Sequence, residues 1–286
     1  MPSSGSNRRY CRVKSGETSL IGAAGTSVDE NIAFIEIDRD FKRKGLNVPE
    51  VYAVSEDKRF YLQQDLGDLT LFNAVAKGRE AGSYSAEEVE LLKSAIKELP
   101  HLQFVGGEGL DYSICFPQPS FDERMVSFDL NYFKYCFLKA TGLEFSEIKL
   151  HDDFQKLSAN LLEESRSETF LYRDFQARNV MIYNGAPYFI DFQGGRKGPV
   201  YYDIVSFVYQ VRAAYPKSLR EELLDAYFDE LENIAGHQDR AMFNTRLRLF
   251  RLFRMLQVLG AYGFRGLTEH KAPFVVCIQD ALDSLK

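Results

Sequence analysis

Three side chains with hard oxygen donors are set apart by their spacing. In YRDFQARNVMIYNGAPYFIDFQGG, Asp174, Asn179 and Asp191 are separated by five and twelve residues. Asn184-Gly185 lies between two strand-like runs, and Asn-Gly is the strongest short signal for a tight hairpin. Two strands joined there return Asp191 to the neighbourhood of Asn179. Phosphoryl transfer asks for such a set: a carboxylate to orient an attacking hydroxyl and take its proton, and oxygen ligands to hold Mg²⁺ against a triphosphate. Asp174 is the candidate base, and Asn179 and Asp191 are the candidate metal ligands.

The surrounding pattern indicates what must hold these residues. They fall in a short β segment between Phe170 and Phe192, inside a stretch that otherwise reads as amphipathic helices. Before that stretch the order is ββαββ. Tyr10–Val13 and Ser19–Ala23 are strands around the turn Ser15-Gly16-Glu17, and Glu50–Val54 and Arg59–Gln64 are strands around Ser55–Lys58. Between the two pairs, Ser27-Val28-Asp29-Glu30 has the form of a capping box, Phe34, Ile37 and Phe41 recur at helical spacing, and Gly45 and Pro49 end the helix. Two further boxes are expected, at Ser85…Glu88 and at Ser218…Glu221 beyond Pro216.

Composition limits the possible functions. The chain has 286 residues, of which 45% are hydrophobic, with 23 Phe and 16 Tyr, enough to bury a large core and to exclude global disorder. Lys and Arg number 35 against 41 Asp and Glu, a net charge of −6 that argues against nucleic acid as a main partner. Cys11, Cys115, Cys136 and Cys277 are scattered without a CxxC pair, so neither a zinc site nor a disulfide framework is expected. There is no apolar run near the length of a membrane span and no apolar segment in the first twenty residues. The expectation is a cytoplasmic protein with a small-molecule substrate and no membrane partner; the sequence leaves the oligomeric state open.

The segment FLYRDFQARN resembles the H-R-D-x-x-x-x-N catalytic loop, and IDFQG the D-F-G motif, of protein-kinase-like enzymes. In detail the chain is similar to the aminoglycoside phosphotransferase and choline kinase superfamily. DFQ in place of DFG, followed by GPVYYDIVSF, is most similar to bacterial anomeric amino-sugar kinases, which phosphorylate N-acetylmuramate and N-acetylglucosamine at the 1-hydroxyl. The resemblance implies an α+β, two-lobed protein-kinase-like fold. Residues 1–67 would form a small β-rich nucleotide-binding lobe with one helix and a hinge, and 68–286 a large, mainly helical catalytic and substrate lobe. It implies ATP and Mg as cofactors. Gly5, Ser6, Arg8 and Arg9 of PSSGSNRRY match a phosphate-covering loop, and Asp65-Leu66-Gly67 matches the hinge. Asp203 is implied to hydrogen-bond the catalytic loop; read alone it is a helix cap. Arg178, Gln193 and Arg196 are the acceptor-side candidates. Arg196 and Lys197 follow Asp191 closely enough to offer positive charge to an anionic substrate, unless GGRKG is a solvated turn.

Three features depart from the resemblance. Tyr172 stands where the family has His. The strand SLIGAA has no lysine for the α- and β-phosphates, so Arg8 or Arg9 would carry that charge. The chain begins almost inside the phosphate loop, and the small lobe is expected to lack its first strand. Two competing readings follow. One is an aminoglycoside phosphotransferase, with Asp152, Asp153, Glu163 and Glu164 forming an acidic pocket. The other is a nucleotide-binding pseudokinase without turnover. Arg246, Arg248, Arg251 and Arg254 read as a solvated helix face.

Overall fold

The computed structural model describes residues 8–163 and 169–285. Four antiparallel strands open the chain: β1 (Arg9–Ser15), β2 (Thr18–Ala24), β3 (Val51–Val54) and β4 (Phe60–Gln64), in the order β1-β2-β4-β3. Register aligns Tyr10 with Ala23 and Ala23 with Tyr61, and aligns Arg12 with Ile21 and Ile21 with Gln63. Because side chains alternate along a strand, these rungs share one face. That face is the inner one: Ile21, Ala23 and Tyr61 are buried, whereas Val13 and Phe60, on the opposite face, are 46% and 56% exposed.

Helix α1 (Val28–Arg43) lies against the inner face and buries Phe34, Ile37 and Phe41, each such side chain contributing about 1.5–3 kcal/mol. Ser27 caps it by accepting from the Glu30 N–H. The other half of the expected capping box does not form, because the Glu30 carboxylate turns to Arg8 instead. Phe34 stacks on Tyr61 at 5.3 Å and on Phe192 at 4.9 Å, so one ring joins the sheet to the segment that carries Asp191.

The remainder is mainly helical. Short helices α2 (Leu71–Ala74) and α3 (Ala76–Ala81) lead to α4 (Ala86–Phe104), whose Ser85–Glu88 capping box is complete in both directions. Helices α5 (Glu123–Phe133) and α6 (Glu147–Leu162) precede the β segment. There β5 (Phe170–Leu171) pairs with β8 (Arg196–Lys197), and β6 (Val180–Tyr183) forms a hairpin with β7 (Ala186–Phe189). The hairpin turn needs two residues at positive φ, which Asn184 at 51° and Gly185 at 80° supply. Helices α7 (Tyr201–Val208), α8 (Lys217–Ala235), α9 (Arg240–Tyr262) and α10 (Ala272–Asp283) complete the chain. α4 packs on α8, and α9 packs on α5 and α7. Phe121, Tyr202, Phe250 and Phe253 form an aromatic cluster between them. No helix among the described residues is long and apolar enough to cross a membrane.

The cap expected at Ser218 is absent. α8 starts at Lys217 directly after Pro216 and has no side-chain cap, which leaves Ser218 inside the first turn. Proline's fixed φ is already compatible with helix entry and does the starting without a hydroxyl.

Asp38 on α1 is 1% exposed, and no hydrogen bond of good geometry reaches either of its oxygens. Burial pushes its carboxyl up to about 8, while Lys42, the nearby Val51 N–H and Arg39 only partly offset the loss of water and Glu50 adds to the rise. A folded value above the unfolded one favours the folded state while the group is protonated; that stabilisation is complete below about pH 4 and disappears as pH rises through about 8. Asp38→Asn cannot titrate. Its melting temperature should therefore fall less steeply between pH 6 and 9 than the wild type's, and parallel curves would show that Asp38 does not carry this dependence.

Candidate active site

The loop after β5 is fixed by one buried carboxyl. Asp203, fully buried in the first turn of α7, accepts the Tyr172 N–H at 2.7 Å and the Arg173 N–H at 2.8 Å. It does not cap α7; Val200 occupies that position. Burial pushes the Asp203 carboxyl up to about 7 despite the two donated hydrogen bonds. The paired bonds hold Arg173 at φ 76°, a conformation a non-glycine residue keeps only when its surroundings enforce it. The Arg173 guanidinium then reaches both oxygens of Asp129 on α5, at 3.3 and 3.2 Å.

Tyr172, at the family's His position, is buried. Its hydroxyl donates to the Ile190 carbonyl, and its ring meets Phe175 and Phe192 edge-on. Thus the departure from His still braces the loop against the residue preceding Asp191.

Beyond the bend the expected set converges. Asn179 Nδ2 donates to the Asp174 carbonyl at 2.9 Å, and the Ile190 N–H donates to the Asn179 carbonyl at 3.1 Å. The hairpin pairs Val180 with Phe189, which returns Asp191 beside Asn179 as the spacing predicts. Asp191 adopts φ 71° and accepts from Gln193 Nε2 at 2.7 Å. Gln193 therefore positions Asp191. Gly195 follows at a close approach, where a Cβ would lie 2.1 Å from the Phe170 ring.

Burial raises the Asp191 carboxyl above its ordinary range and the negative charge of Asp174 adds to this, against the opposing Gln193 hydrogen bond and the charges of Arg8 and Arg178. A cation between the two carboxylates would relieve both costs. The Asn179 amide nitrogen is committed to Asp174, which leaves its oxygen available as an acceptor. No cluster of three or more His, Cys, Asp or Glu suited to a metal occurs among the described residues. Two carboxylates and an amide oxygen are hard donors, a set that fits a cation keeping waters and phosphate oxygens as further ligands, as Mg²⁺ does.

Arg8 faces this site. It is 3% exposed, and it donates to the Glu30 carbonyl at 3.0 Å, meets the Glu30 carboxylate at 3.3 Å and reaches Asn31 Oδ1 at 3.3 Å. Asn31 is itself anchored by the Gly25 and Lys58 carbonyls. An arginine immediately before β1 thereby places a positive charge near Asp191, where the inner face of β2 offers only Ala23. Strand alternation sends Arg9 to the outer face of the sheet, away from the cleft. Gly5 and Ser6 lie outside the described residues. At the hinge, Leu66 is buried. Burial raises the Asp65 carboxyl, but Ser19, Arg12 and the Gly67 N–H outweigh that and hold it below the usual carboxylate range.

Arg196 does not reach the acceptor side. Pairing of Arg196 with Leu171 turns it inward beneath the loop, where it is 2% exposed and donates to the Gly194 carbonyl and to Met125 sulfur. Burial, with the nearby Arg173 charge, lowers its guanidinium to about 10. Lys197, next along β8, has its N–H bound to the Pro119 carbonyl.

Asp174 instead lines a cavity of about 300 Å³ with Arg178, Arg212, Arg254, Tyr209 and Tyr262. Arg178 was expected near the acceptor; the others were not. Arg254 is no solvated residue: it is 7% exposed and bonds the Tyr202 hydroxyl and Gln257. Its sequence context held a signal, since Met255, Val258 and Tyr262 place it at the margin of the apolar stripe of α9. Arg212 had none, because it sits on a single 3₁₀ turn, Val211–Ala213.

The profile of the phosphotransferase enzyme family matches residues 3–240. A curated N-acetylmuramate/N-acetylglucosamine kinase of Neisseria meningitidis serogroup B is 27% identical over 228 residues, which is 78% of this chain and 64% of that protein. One of the same name from Pseudomonas putida is 24% identical over 266 residues, covering 91% of this chain and 74% of that protein. The chain therefore spans less than two thirds of the Neisseria relative's length. Among solved structures, amicoumacin kinase hAmiN in complex with AMP-PNP, Ca²⁺ and Ami superposes with a TM-score of 0.67 at 10% identity, over 96% of this chain and 87% of that one. The small antiparallel sheet and mainly helical remainder are the protein-kinase-like fold expected from the sequence.

Asp203→Asn puts an NH₂ group against a main-chain N–H, a mismatch that costs about 1–3 kcal/mol. The urea midpoint should fall with little change in slope, and amide exchange at Tyr172 and Arg173 should accelerate selectively. Unchanged exchange at both amides would mean that another contact holds the loop.

Proposed function

The chain belongs to the phosphotransferase enzyme family, and from that membership we propose that it is an ATP- and Mg²⁺-dependent kinase of a small-molecule hydroxyl. The observation that carries this reading is the joining of Asp174, Asn179 and Asp191 through the Asn179 amide and the Ile190 N–H, with Asp174 at the wall of a cavity large enough for a monosaccharide. In it, Asp174 orients the acceptor hydroxyl and takes its proton. Asn179 and Asp191 hold Mg²⁺, with Gln193 fixing Asp191. Arg8, paired with Glu30, meets the nucleotide phosphates, and the segment around Asp65 and Leu66 meets the base through its main chain. Magnesium, when bound with the nucleotide, neutralises charge that develops on the transferred phosphoryl group. Rate enhancement then comes mainly from positioning and fixed electrostatics.

For the acceptor we propose an amino sugar, N-acetylmuramate or N-acetylglucosamine, phosphorylated at the 1-hydroxyl. The names of the curated relatives support this. A polycationic aminoglycoside suits the cavity poorly, because three arginines line it beside Asp174. The acidic residues once suited to such a substrate are elsewhere: Asp152 and Asp153 are exposed on α6, Glu163 pairs with Arg246, and Glu164 lies outside the described residues. The intact donor set weighs against a pseudokinase.

An ADP-release assay across both amino sugars, choline and aminoglycosides tests the assignment. Asp174→Asn should lower kcat by roughly 10²–10⁴-fold with the KM for ATP little changed, because the proton is accepted only along the reaction coordinate. Equal turnover would remove Asp174 from that role. Asp191→Ala should abolish the additional thermal stabilisation that Mg²⁺ gives to the ATP complex, since a carboxylate contact to the ion is lost. A surviving Mg²⁺ increment would exclude Asp191 as a ligand.

A further inference from the structure

The charges around the Asp174 cavity are unequal: three arginines face one carboxylate. Two of the three have other engagements. Arg178 acts on Asp191, on the phosphate side of the site. Arg254 is buried and bonded to Tyr202 and Gln257. Arg212 is different. Its guanidinium is exposed, lies over the Phe274 ring of α10 at 5.2 Å, and makes no ion pair among the described residues. The turn that carries it is fixed, since the Tyr84 hydroxyl donates to the Ala213 carbonyl at 3.1 Å and Ala214 closes the turn at φ 50°. Arg178, Arg212 and Arg254 all act on the Tyr262 hydroxyl, so their positive charge converges on one part of the wall.

A charged guanidinium held over an aromatic ring, on a braced turn and without a counter-ion among the described residues, is preorganised for a planar anion. Taking the Asp174 cavity as the acceptor pocket, as proposed above, we propose that Arg212 is a specificity-determining residue that binds the carboxylate of an acidic acceptor. Phe274 shields one face of the contact from water. Of the two amino sugars, N-acetylmuramate carries such a carboxylate on its lactyl ether, and N-acetylglucosamine has none. The enzyme should accordingly prefer the acidic sugar.

The test is the ratio of kcat/KM for N-acetylmuramate to that for N-acetylglucosamine, measured on the full chain. Arg212→Ala should lower this ratio roughly tenfold, the scale of one lost charge-assisted hydrogen bond at a partly exposed site, with the loss mainly in the KM of the acidic sugar. Arg212→Lys keeps the charge and should recover part of the ratio. Added salt should lower the ratio in the wild type but hardly in Arg212→Ala. An unchanged ratio in Arg212→Ala, or a wild type that favours the neutral sugar, overturns the role of Arg212 while leaving the kinase reading in place. A wild type that phosphorylates neither sugar overturns the amino-sugar assignment and this role with it.

Discussion

The architecture of the site rests on a single buried acceptor, the Asp203 carboxyl beneath the Tyr172 and Arg173 amides. Main-chain donors inside a protein must be satisfied, and a loop that leaves a strand has lost its sheet partners. Asp203 supplies both missing acceptors from a helix packed into the core. That permits the left-handed bend at Arg173, and the bend separates the partly buried Arg173–Asp129 pair from the half-buried Asp174, which lines the cavity. Tyr172 adds a second brace at Ile190, so the start of the loop is tied both to α7 and to the segment that carries Asp191.

The cation facing the site comes from Arg8, immediately before β1, one of the two arginines the sequence offered. In a strand, every second residue faces inward, and Arg8 therefore joins the Tyr10, Ala23 and Tyr61 face while Arg9 cannot. A guanidinium is larger than an ammonium and always charged, and its several donors reach the Glu30 carboxylate, the Glu30 carbonyl and Asn31 together. The pairing of a cation with the helix below is thus kept, although the residue type and the strand both differ. The stack of Phe34 on Phe192 links the same helix to the metal-ligand candidates through an apolar contact.

Elements whose signals are local could be read directly. The hairpin at Asn184-Gly185, the Ser85 box and the pairing of the first two strands around Ser15-Gly16-Glu17 depend on residues within a few positions, and each formed where expected. Arg196, expected on the acceptor side, and Arg254, expected on a solvated helix face, are both buried: charge alone argues for an accessible position, and only tertiary pairing reveals otherwise. β8 pairs with a strand 25 residues earlier, from Leu171 to Arg196, and this buries Arg196. Arg254 is enclosed by Tyr202 of another helix. The cavity walls gather residues from α7, α9, α10 and the turn between α7 and α8, a combination no local pattern encodes.

The two-residue loop between β6 and β7 also has a consequence in chain entropy. Asn179 and Asp191 are separated by only twelve positions, with eight paired strand residues between them, so their encounter costs little conformational freedom compared with the 53-residue separation of Arg12 and Asp65. Val180 and Phe189 at the base of the hairpin are buried in the common core, and Phe189 stacks on Phe175, so the hairpin opens only as a unit with that packing. Asn179 and Asp191 are then gained or lost together, and partial unfolding of the hairpin would leave the protein with either both residues in place or neither.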